Sequence, residues 1–256
     1  MKGVILAGGL GTRLRPMTQV TNKHLLPVYD RPMIYYPIGT LLGAGIDEIL
    51  VVTGGEHAGD FLKLLKNGRH LGIRHLEYAY QEGEGGIADA LKLAEDFADG
   101  EKVCVVLGDN LLQYGIRDAA DRFRNQEDGC KLLLKQVEDP ERFGVVRLDN
   151  GRITEIVEKP ESPPSDLAVT GIYFYDATVF QMCNELIPSH RGELEITDVN
   201  NAYLQRGNLS HDLVDGWWTD AGTIPSLFRA SMLVSESGAN LNPAGTETDF
   251  ALGETA

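Results

Sequence analysis

The sequence predicts an α/β protein built on a mostly parallel mixed sheet with helices on both faces. Short apolar runs alternate with stretches of helical periodicity through the first half of the chain. Two of those runs end in glycine-softened polar turns, Gly8-Gly9 and Gly108-Asp109-Asn110, at the carboxyl ends where such sheets bind ligands. With 256 residues, 43% hydrophobic and 24% charged, the chain can bury one large core or two intimately packed halves.

Taken in order, VILA is a buried strand, and MIYYPIGTLLGAGI is a helix. Proline is tolerated only in a helix's first turn, so Pro37 predicts a start near Tyr35 or Tyr36. EILVVTG is the next strand, and GDFLKLLKNG a helix closed by Gly68. HLEYAYQ alternates as a strand, GGIADALKLAEDFADG reads as one helix, and KVCVVLGDN is a strongly apolar strand. Beyond it, KLLLKQV, GVVRL and RITEIVEK are strands, the last two joined by the Asp149-Asn150-Gly151 turn. AVTGIYFYD is a strand and ATVFQMCNELI a helix. SHDLVDGWWTDAGT reads as a strand and polar turn, and IPSLFRASMLVSE as a terminal helix opened by Thr223 and Pro225. No linker divides the halves. The expected layout is one domain over 1-235, with a nucleotide-binding part of about 1-130 and a substrate lobe of about 131-220. A partly disordered tail is expected over 236-256.

The opening loop, GGLGTR, fits neither standard phosphate motif. The dinucleotide fingerprint fails because Leu14 stands where its third glycine belongs, and no Gly-Lys pair supports a Walker loop. Glycines still let backbone N–H groups crowd an anion, and Arg13 and Lys23 supply cations suited to phosphate. The plainer reading of the loop is a tight turn with solvated arginines. Asp109 and Asp220 are each either turn-forming residues or, brought together, a seat for Mg²⁺, which takes few protein ligands. Lys159, read alone, is a solvated lysine at a strand end.

A net charge of −15 argues against a nucleic-acid partner, because no basic excess exists to neutralise a phosphate polymer. Cys104, Cys130 and Cys183 are scattered and odd in number, which fits a reduced cytoplasmic protein without a zinc site. No leader and no membrane span is expected. No nucleophile elbow and no Cys–His pair stands out. Glycines, cations and carboxylates remain, an inventory suited to phosphoryl or nucleotidyl transfer.

Eight motifs in order, GGLGTRLRPMT, NKHLLPVYDRPMIYYPI, VVLGDN, DPERFGVV, EKP, VTGIYFYD, RGELEITDVN and WWTDAGT, resemble the sugar nucleotidyltransferases. The similarity runs from Lys2 to about Ser231, and the subgroup it most resembles transfers a thymidylyl group to glucose 1-phosphate. The resemblance implies a Rossmann-like fold with an inserted sugar-binding lobe. It implies a reaction of dTTP with a sugar 1-phosphate giving a nucleotide sugar and pyrophosphate, with Mg²⁺ as cofactor. A homo-oligomer is implied as well. Carried over by motif, Leu6, Gly8, Gly9, Gly11, Thr12, Arg13 and Lys23 would hold the nucleotide, with Gln81 and Gly86 at the base edge. Asp109 and Asp220 would hold the metal. Lys159 would bind the sugar phosphate, with Phe143, Gly144, Glu158, Thr170 and Arg191 near the sugar. Arg13, Lys23, Asp109 and Lys159 would carry the catalysis.

Three positions depart from the family pattern. Asp89 stands where glutamine is usual, Phe143 where tyrosine is common, and Ala221 where threonine usually follows the metal-binding aspartate. Asp89 is expected on the helix behind the base pocket, its charge solvated. A UTP-dependent enzyme on the same scaffold is the nearest alternative, and a non-catalytic nucleotide-sugar sensor the alternative of a different class. A fused acyltransferase β-helix is excluded by the absence of hexapeptide repeats.

Overall fold

The computed structural model describes residues 1–189 and 191–241. Its first strand, β1 (Lys2–Ala7), leads through a loop to a minimal hairpin, β2 (Pro27–Val28) and β3 (Arg31–Pro32). Then follow α1 (Tyr35–Gly43), β4 (Glu48–Gly54), α2 (Ala58–Leu65), β5 (His75–Gln81), α3 (Ile87–Lys92) and α4 (Glu95–Ala98). The middle holds β6 (Val103–Leu107), β7 (Asn110–Leu112), α5 (Arg117–Asn125), β8 (Cys130–Gln136), β9 (Gly144–Asp149) and β10 (Arg152–Glu158). The last part is β11 (Leu167–Tyr175), α6 (Thr178–Glu185), α7 (Ile196–Arg206), β12 (Leu209–Leu213), β13 (Trp218–Asp220) and α8 (Ile224–Ser237).

The sheet core runs β5-β4-β1-β6, all parallel, with Gly3 facing Ile49 on one side and Cys104 on the other. Chain order reverses about β1, so the carboxyl ends of β1 and β6 flank a topological switch point, where crevices open in such sheets. Beyond β6 the direction changes: β11 pairs with it antiparallel and carries β8, the β9–β10 hairpin and, through β8, the parallel strand β12. Strands covered on both faces read as continuous apolar runs, and β1 is one. Val4 and Leu6 enter one core with Phe97, Phe180 and Tyr203; Ile5 and Ala7 enter the other with Ile38, Leu41 and Phe123. A third cluster, including Leu14, Val28, Met33, Leu111 and Leu227, seats α8 and the β2–β3 hairpin.

Most expected elements are present, α1 beginning at Tyr35 with Pro37 in its first turn. The Asn150-Gly151 turn has φ of 48° and 74°, both left-handed, as the hairpin joining β9 to β10 requires. At the start of α8, Thr223 and Ser226 form a reciprocal cap. Three expectations fail. The segment after Gly86 forms two short helices, α3 and α4, separated at Leu93-Ala94. The α2 helix ends before Lys66, which itself takes φ 51°; Gly68, also left-handed, only opens the turn beyond. SHDLVDGWWTD supplies two strands in different sheets, β12 against β8 and β13 against β7. Two further helices stand beyond the expected elements: α5 buries Ala119, Ala120 and Phe123 on one face of an otherwise charged stretch, and α7 buries Ile196, Val199 and Tyr203. Of the expected tail, Asn240 is buried and donates to Tyr36 O at 2.8 Å. Residues 242–256 lie outside the described residues.

At Gly171 of β11 the backbone N–H donates to Asn110 Oδ1 at 2.8 Å. A Cβ there would come within 2.6 Å of Asn110 Nδ2 and 2.7 Å of Leu107 Cδ1, so only glycine permits this approach. Gly171→Ala is therefore expected to overpack the site at a cost of about 1–3 kcal/mol, lowering the melting temperature by several degrees. Calorimetry of the variant checks this; an unchanged melting temperature contradicts the packing argument.

Candidate active site

The switch point opens into a cavity of about 540 Å³. Leu6, Gly8, Gly9, Arg13, Lys23, Gln81 and Gly86 line it from the parallel half. Phe143, Gly144, Glu158, Lys159 and Arg191 line it from the second half, and Asp109 and Asp220 complete it.

Asp109 and Asp220 are far apart in the chain, and the pairing of β13 with β7 brings them together by setting Asp220 opposite Asn110. Ala221 N donates to Asp109 O at 2.8 Å, which holds the two strand ends in register. A Cβ built on Gly222 would lie 3.4 Å from Asp109 Oδ2 and 3.4 Å from Asp220 Oδ2, so no more than twice that distance separates the carboxylates. Each has a cation: Lys23 Nζ reaches Asp109 Oδ2 at 2.6 Å, and Arg142 Nη2 reaches both Asp220 oxygens at 3.0 and 3.1 Å. Burial pushes the Asp109 carboxyl up, but the Lys23 ammonium and the Asn110 hydrogen bond outweigh it, leaving the group well below the usual carboxylate range. Asp220 shifts the other way: burial and the Asp109 charge raise it against the opposition of Arg142.

Asn110 organises this end of the cavity. Its Oδ1 accepts from Gly171 N at 2.8 Å and from Trp218 Nε1 at 2.7 Å, and its Nδ2 donates to Asp109 Oδ1 at 3.1 Å. Trp218 meets Phe143 edge-on, with ring centroids 5.1 Å apart. Across the opposite wall, Glu158 pairs with Gly144 in the β9–β10 register and accepts from Thr197 Oγ1 at 2.6 Å. Lys159 has φ 41°, in the left-handed region, and its N–H donates to Phe143 O at 3.0 Å. Its ammonium lies 3.3 Å from Glu158 and is half exposed. Arg191 Nη2 reaches both Glu195 carboxylate oxygens at 2.8 Å.

The chain matches the family signature described as nucleotidyl transferase over residues 2–237. The chain belongs to the nucleotidyl transferase family. It is similar to a glucose-1-phosphate thymidylyltransferase of Neisseria meningitidis, 47% identical over 239 residues that span 91% of this chain and 82% of the relative. One from Actinoplanes is 48% identical over 235 residues, 90% of this chain and 77% of its own. Among solved structures, one from Bacillus anthracis, assigned to the same activity and complexed with sucrose, superposes with a TM-score of 0.89. It is 52% identical and covers 92% of this chain and 96% of its own. A UDP-glucose pyrophosphorylase bound to UDP-glucose superposes at 0.82 with 25% identity, over 92% of this chain and 98% of that one.

In this nucleotidyltransferase some expected residues stand off the cavity wall. Thr170 is fully buried and donates to Leu133 O at 2.9 Å. Strand alternation explains it: Val169, Gly171 and Tyr173 face the cavity, so Thr170 faces away. Gly11 and Thr12 begin the turn behind Gly8-Gly9. Gly11 takes φ 63°, and a Cβ there would press on Lys23 and Thr18 at 2.9 Å, so it shapes the loop without lining the cavity. Asp89, expected to be solvated, instead accepts from Gln81 Nε2 at 3.0 Å and pairs with Lys92 at 3.2 Å.

Several lining residues escaped the sequence reading, among them His24, Asn110, Arg142, Glu195, Thr197, Asn200 and Trp218. The Arg142 signal lay inside DPERFGVV; those of Asn110 and Trp218 lay beside Asp109 and Asp220. Among the described residues no cluster of three or more His, Cys, Asp or Glu side chains suits a metal. No described helix is long and apolar enough to cross a membrane.

His24 is buried, with Nδ1 2.8 Å from Asn22 Oδ1, and burial together with the adjacent Lys23 charge pushes its pKa down to about 3. Between the ordinary value of 6.5 and about 3, the unfolded chain takes up a proton that the folded chain refuses. Stability therefore falls as pH falls through that window. Melting temperatures of wild type and His24→Asn from pH 7 to 5.5 are expected to diverge in slope, with the variant flatter. Parallel slopes refute the assignment.

Proposed function

We propose that this nucleotidyltransferase converts dTTP and α-D-glucose 1-phosphate to dTDP-glucose and pyrophosphate. The observation that carries the reading is one cavity bordered by a glycine loop with Arg13 and Lys23, two facing carboxylates, and Lys159 on a lobe opposite. Arg13 and Lys23 hold the triphosphate, Gln81 and Gly86 face the base, and Lys159 binds the sugar phosphate with Glu158, Gly144 and Arg191 about the sugar. An oxygen of the sugar phosphate attacks the α-phosphorus in line. The bond to the β-phosphate oxygen breaks, and pyrophosphate leaves with its electron pair. A phosphate monoester's second pKa is near 6, so the attacking oxygen is already ionised and needs no general base. His24, neutral and bonded to Asn22, is not asked to act as one.

The donor set fits Mg²⁺: two hard carboxylates, Asp109 buried and Asp220 partly buried, flank Gly222 at a place that any Cβ would fill. Asp109 and Asp220 would hold the ion, which when bound neutralises phosphate charge in the transition state. The Lys23–Asp109 and Arg142–Asp220 pairs keep these charges in place beforehand, so ligand binding exchanges ion partners and buries few unpaired charges. The reading includes a cytoplasmic setting, in keeping with free, buried thiols at Cys104, Cys130 and Cys183. It also includes a homo-oligomer, for which the exposed ladder Ile224, Phe228 and Met232 on α8 is an available face.

Pyrophosphate release across a grid of nucleoside triphosphates and sugar 1-phosphates tests the reading. The pair dTTP with glucose 1-phosphate is expected to lead, and UTP to follow modestly behind. Thymine differs from uracil by one methyl, worth about 1 kcal/mol of apolar burial, and the ribose 2′-hydroxyl adds a second difference. No turnover with any pair overturns the reading in favour of a sensor. Asp109→Asn and Asp220→Asn should each lower the rate roughly 10²–10⁴-fold, about 3–5 kcal/mol of transition-state stabilisation. Near-normal rates in both contradict the metal assignment. Lys159→Ala should raise KM for the sugar phosphate about tenfold, some 1.4 kcal/mol, with little change for the nucleotide. An equal loss on both substrates puts Lys159 on the wrong ligand.

A further inference from the structure

Gln81 is buried at the end of β5, and both of its amide hydrogens are spent. Its Nε2 donates to Gly86 O at 3.1 Å and to Asp89 Oδ2 at 3.0 Å. A carbonyl and a carboxylate can only accept, so the nitrogen must face them. The oxygen is thereby turned the other way: a Cβ built on Gly8 would lie 2.7 Å from Gln81 Oε1. Gly8, Gln81 and Gly86 all line the cavity. The partner that fixes the amide is itself fixed. Asp89 pairs with Lys92 at 3.2 Å, and it packs so close to Gly85 that a Cβ there would lie 2.5 Å from its Oδ2.

We propose that Asp89 is a specificity-determining positioning residue, which locks the Gln81 amide so that this side chain offers the base an acceptor and no donor. The proposal rests on the nucleotide-binding reading of this cavity and deepens it. A free carboxamide reads either kind of edge by flipping; a locked one cannot. Thymine and uracil carry a ring N–H between two carbonyls and satisfy an acceptor. Cytosine and adenine present a ring nitrogen lone pair at the corresponding position, which faces the Gln81 oxygen unpaired. A buried acceptor left without a donor is strongly disfavoured, and polar sites of this kind discriminate better than apolar ones. The same logic gives no choice between thymine and uracil, since both offer the same N–H. The aspartate at 89, one of the departures from the family pattern, thus reinforces selection of an imide base.

Equilibrium binding of dTTP, dUTP, dCTP and dATP, measured by calorimetry on wild type, Asp89→Ala, Asp89→Asn and Asp89→Gln, tests this with the sugar held constant. Wild type is expected to favour dTTP and dUTP over dCTP at least a hundredfold. In Asp89→Ala, which lacks an acceptor, that preference should shrink tenfold or more, by weaker dTTP binding and stronger dCTP binding together. Asp89→Asn and Asp89→Gln each keep an oxygen that can accept from Gln81, and should restore most of the preference. A purely structural role for Asp89 would weaken all four nucleotides alike. An unchanged dTTP-to-dCTP ratio in Asp89→Ala overturns the proposal, as does wild type that binds dCTP as well as dTTP. The measurement needs no turnover. Selective binding without pyrophosphate release would defeat the proposed reaction and leave this inference standing. Turnover with an unaltered base ratio in Asp89→Ala would defeat this inference alone.

Discussion

The pairing of β7 with β13 is the constraint on which the cavity depends. Each strand has only three residues, and their register sets Asp220 opposite Asn110. So short a ribbon does not hold itself; it is held by the Asn110 carboxamide, which ties β11 through Gly171, β13 through Trp218 and its own neighbour Asp109. Through those bonds one buried amide ties together the acidic end, the aromatic wall and the middle of β11. The small residues around it follow. Gly171 lets the amide approach, and Gly222 leaves open the space beside both carboxylates.

Charge is arranged locally against an unfavourable background. With a net charge of −15, the protein repels phosphates at long range, although screening confines that effect to roughly 8 Å at physiological salt. What attracts a polyphosphate must then stand at the cavity itself, and Arg13, Lys23, Arg142, Lys159 and Arg191 do. Most are paired with carboxylates at rest. Pairing costs little because both partners are already partly desolvated, and the Lys23 charge keeps Asp109 ionised against the upward push of burial. The two carboxylates are pushed in opposite directions, the expected result when neighbouring like charges have unequal cation support.

The parts legible in the sequence are those whose signal is local. The apolar run of β1, the glycines after it, Pro37 at a helix start and Asn150-Gly151 at a hairpin each carry their conformation in a few adjacent residues. Gly8, Gly9, Lys23 and Asp109 stand in such local patterns, and all four line one cavity. What was illegible depends on pairing or phase. Thr170 falls on the wrong face because one step along a strand reverses the side chain, and the motif does not fix that phase. The meeting of Asp109 with Asp220 requires a ribbon between segments whose spacing in the chain predicts nothing. Lys159 precedes a proline, which ordinarily imposes an extended backbone, yet it takes φ 41°. Its N–H bond to Phe143 O and the turn out of β10 hold it there.

The chain halves that the sequence divides near residue 130 are not mechanically separate. Strands from both sit in one sheet, joined where β11 pairs with β6. A second junction lies at the cavity rim, where Leu194 N donates to Gly85 O at 2.8 Å and Leu194 O accepts from Ala88 N at 3.2 Å. These bonds clamp the segment around Gly86 between α3 and the loop before α7. A Cβ at Gly86 would lie 2.7 Å from Leu194 O, so the clamp tolerates no larger residue without moving. Asp89 and Gln81 stand on one side of this clamp, Arg191 and Glu195 on the other. The cavity wall that carries Gln81 and Asp89 and the wall that carries Arg191 and Glu195 are therefore joined by the same backbone hydrogen bonds.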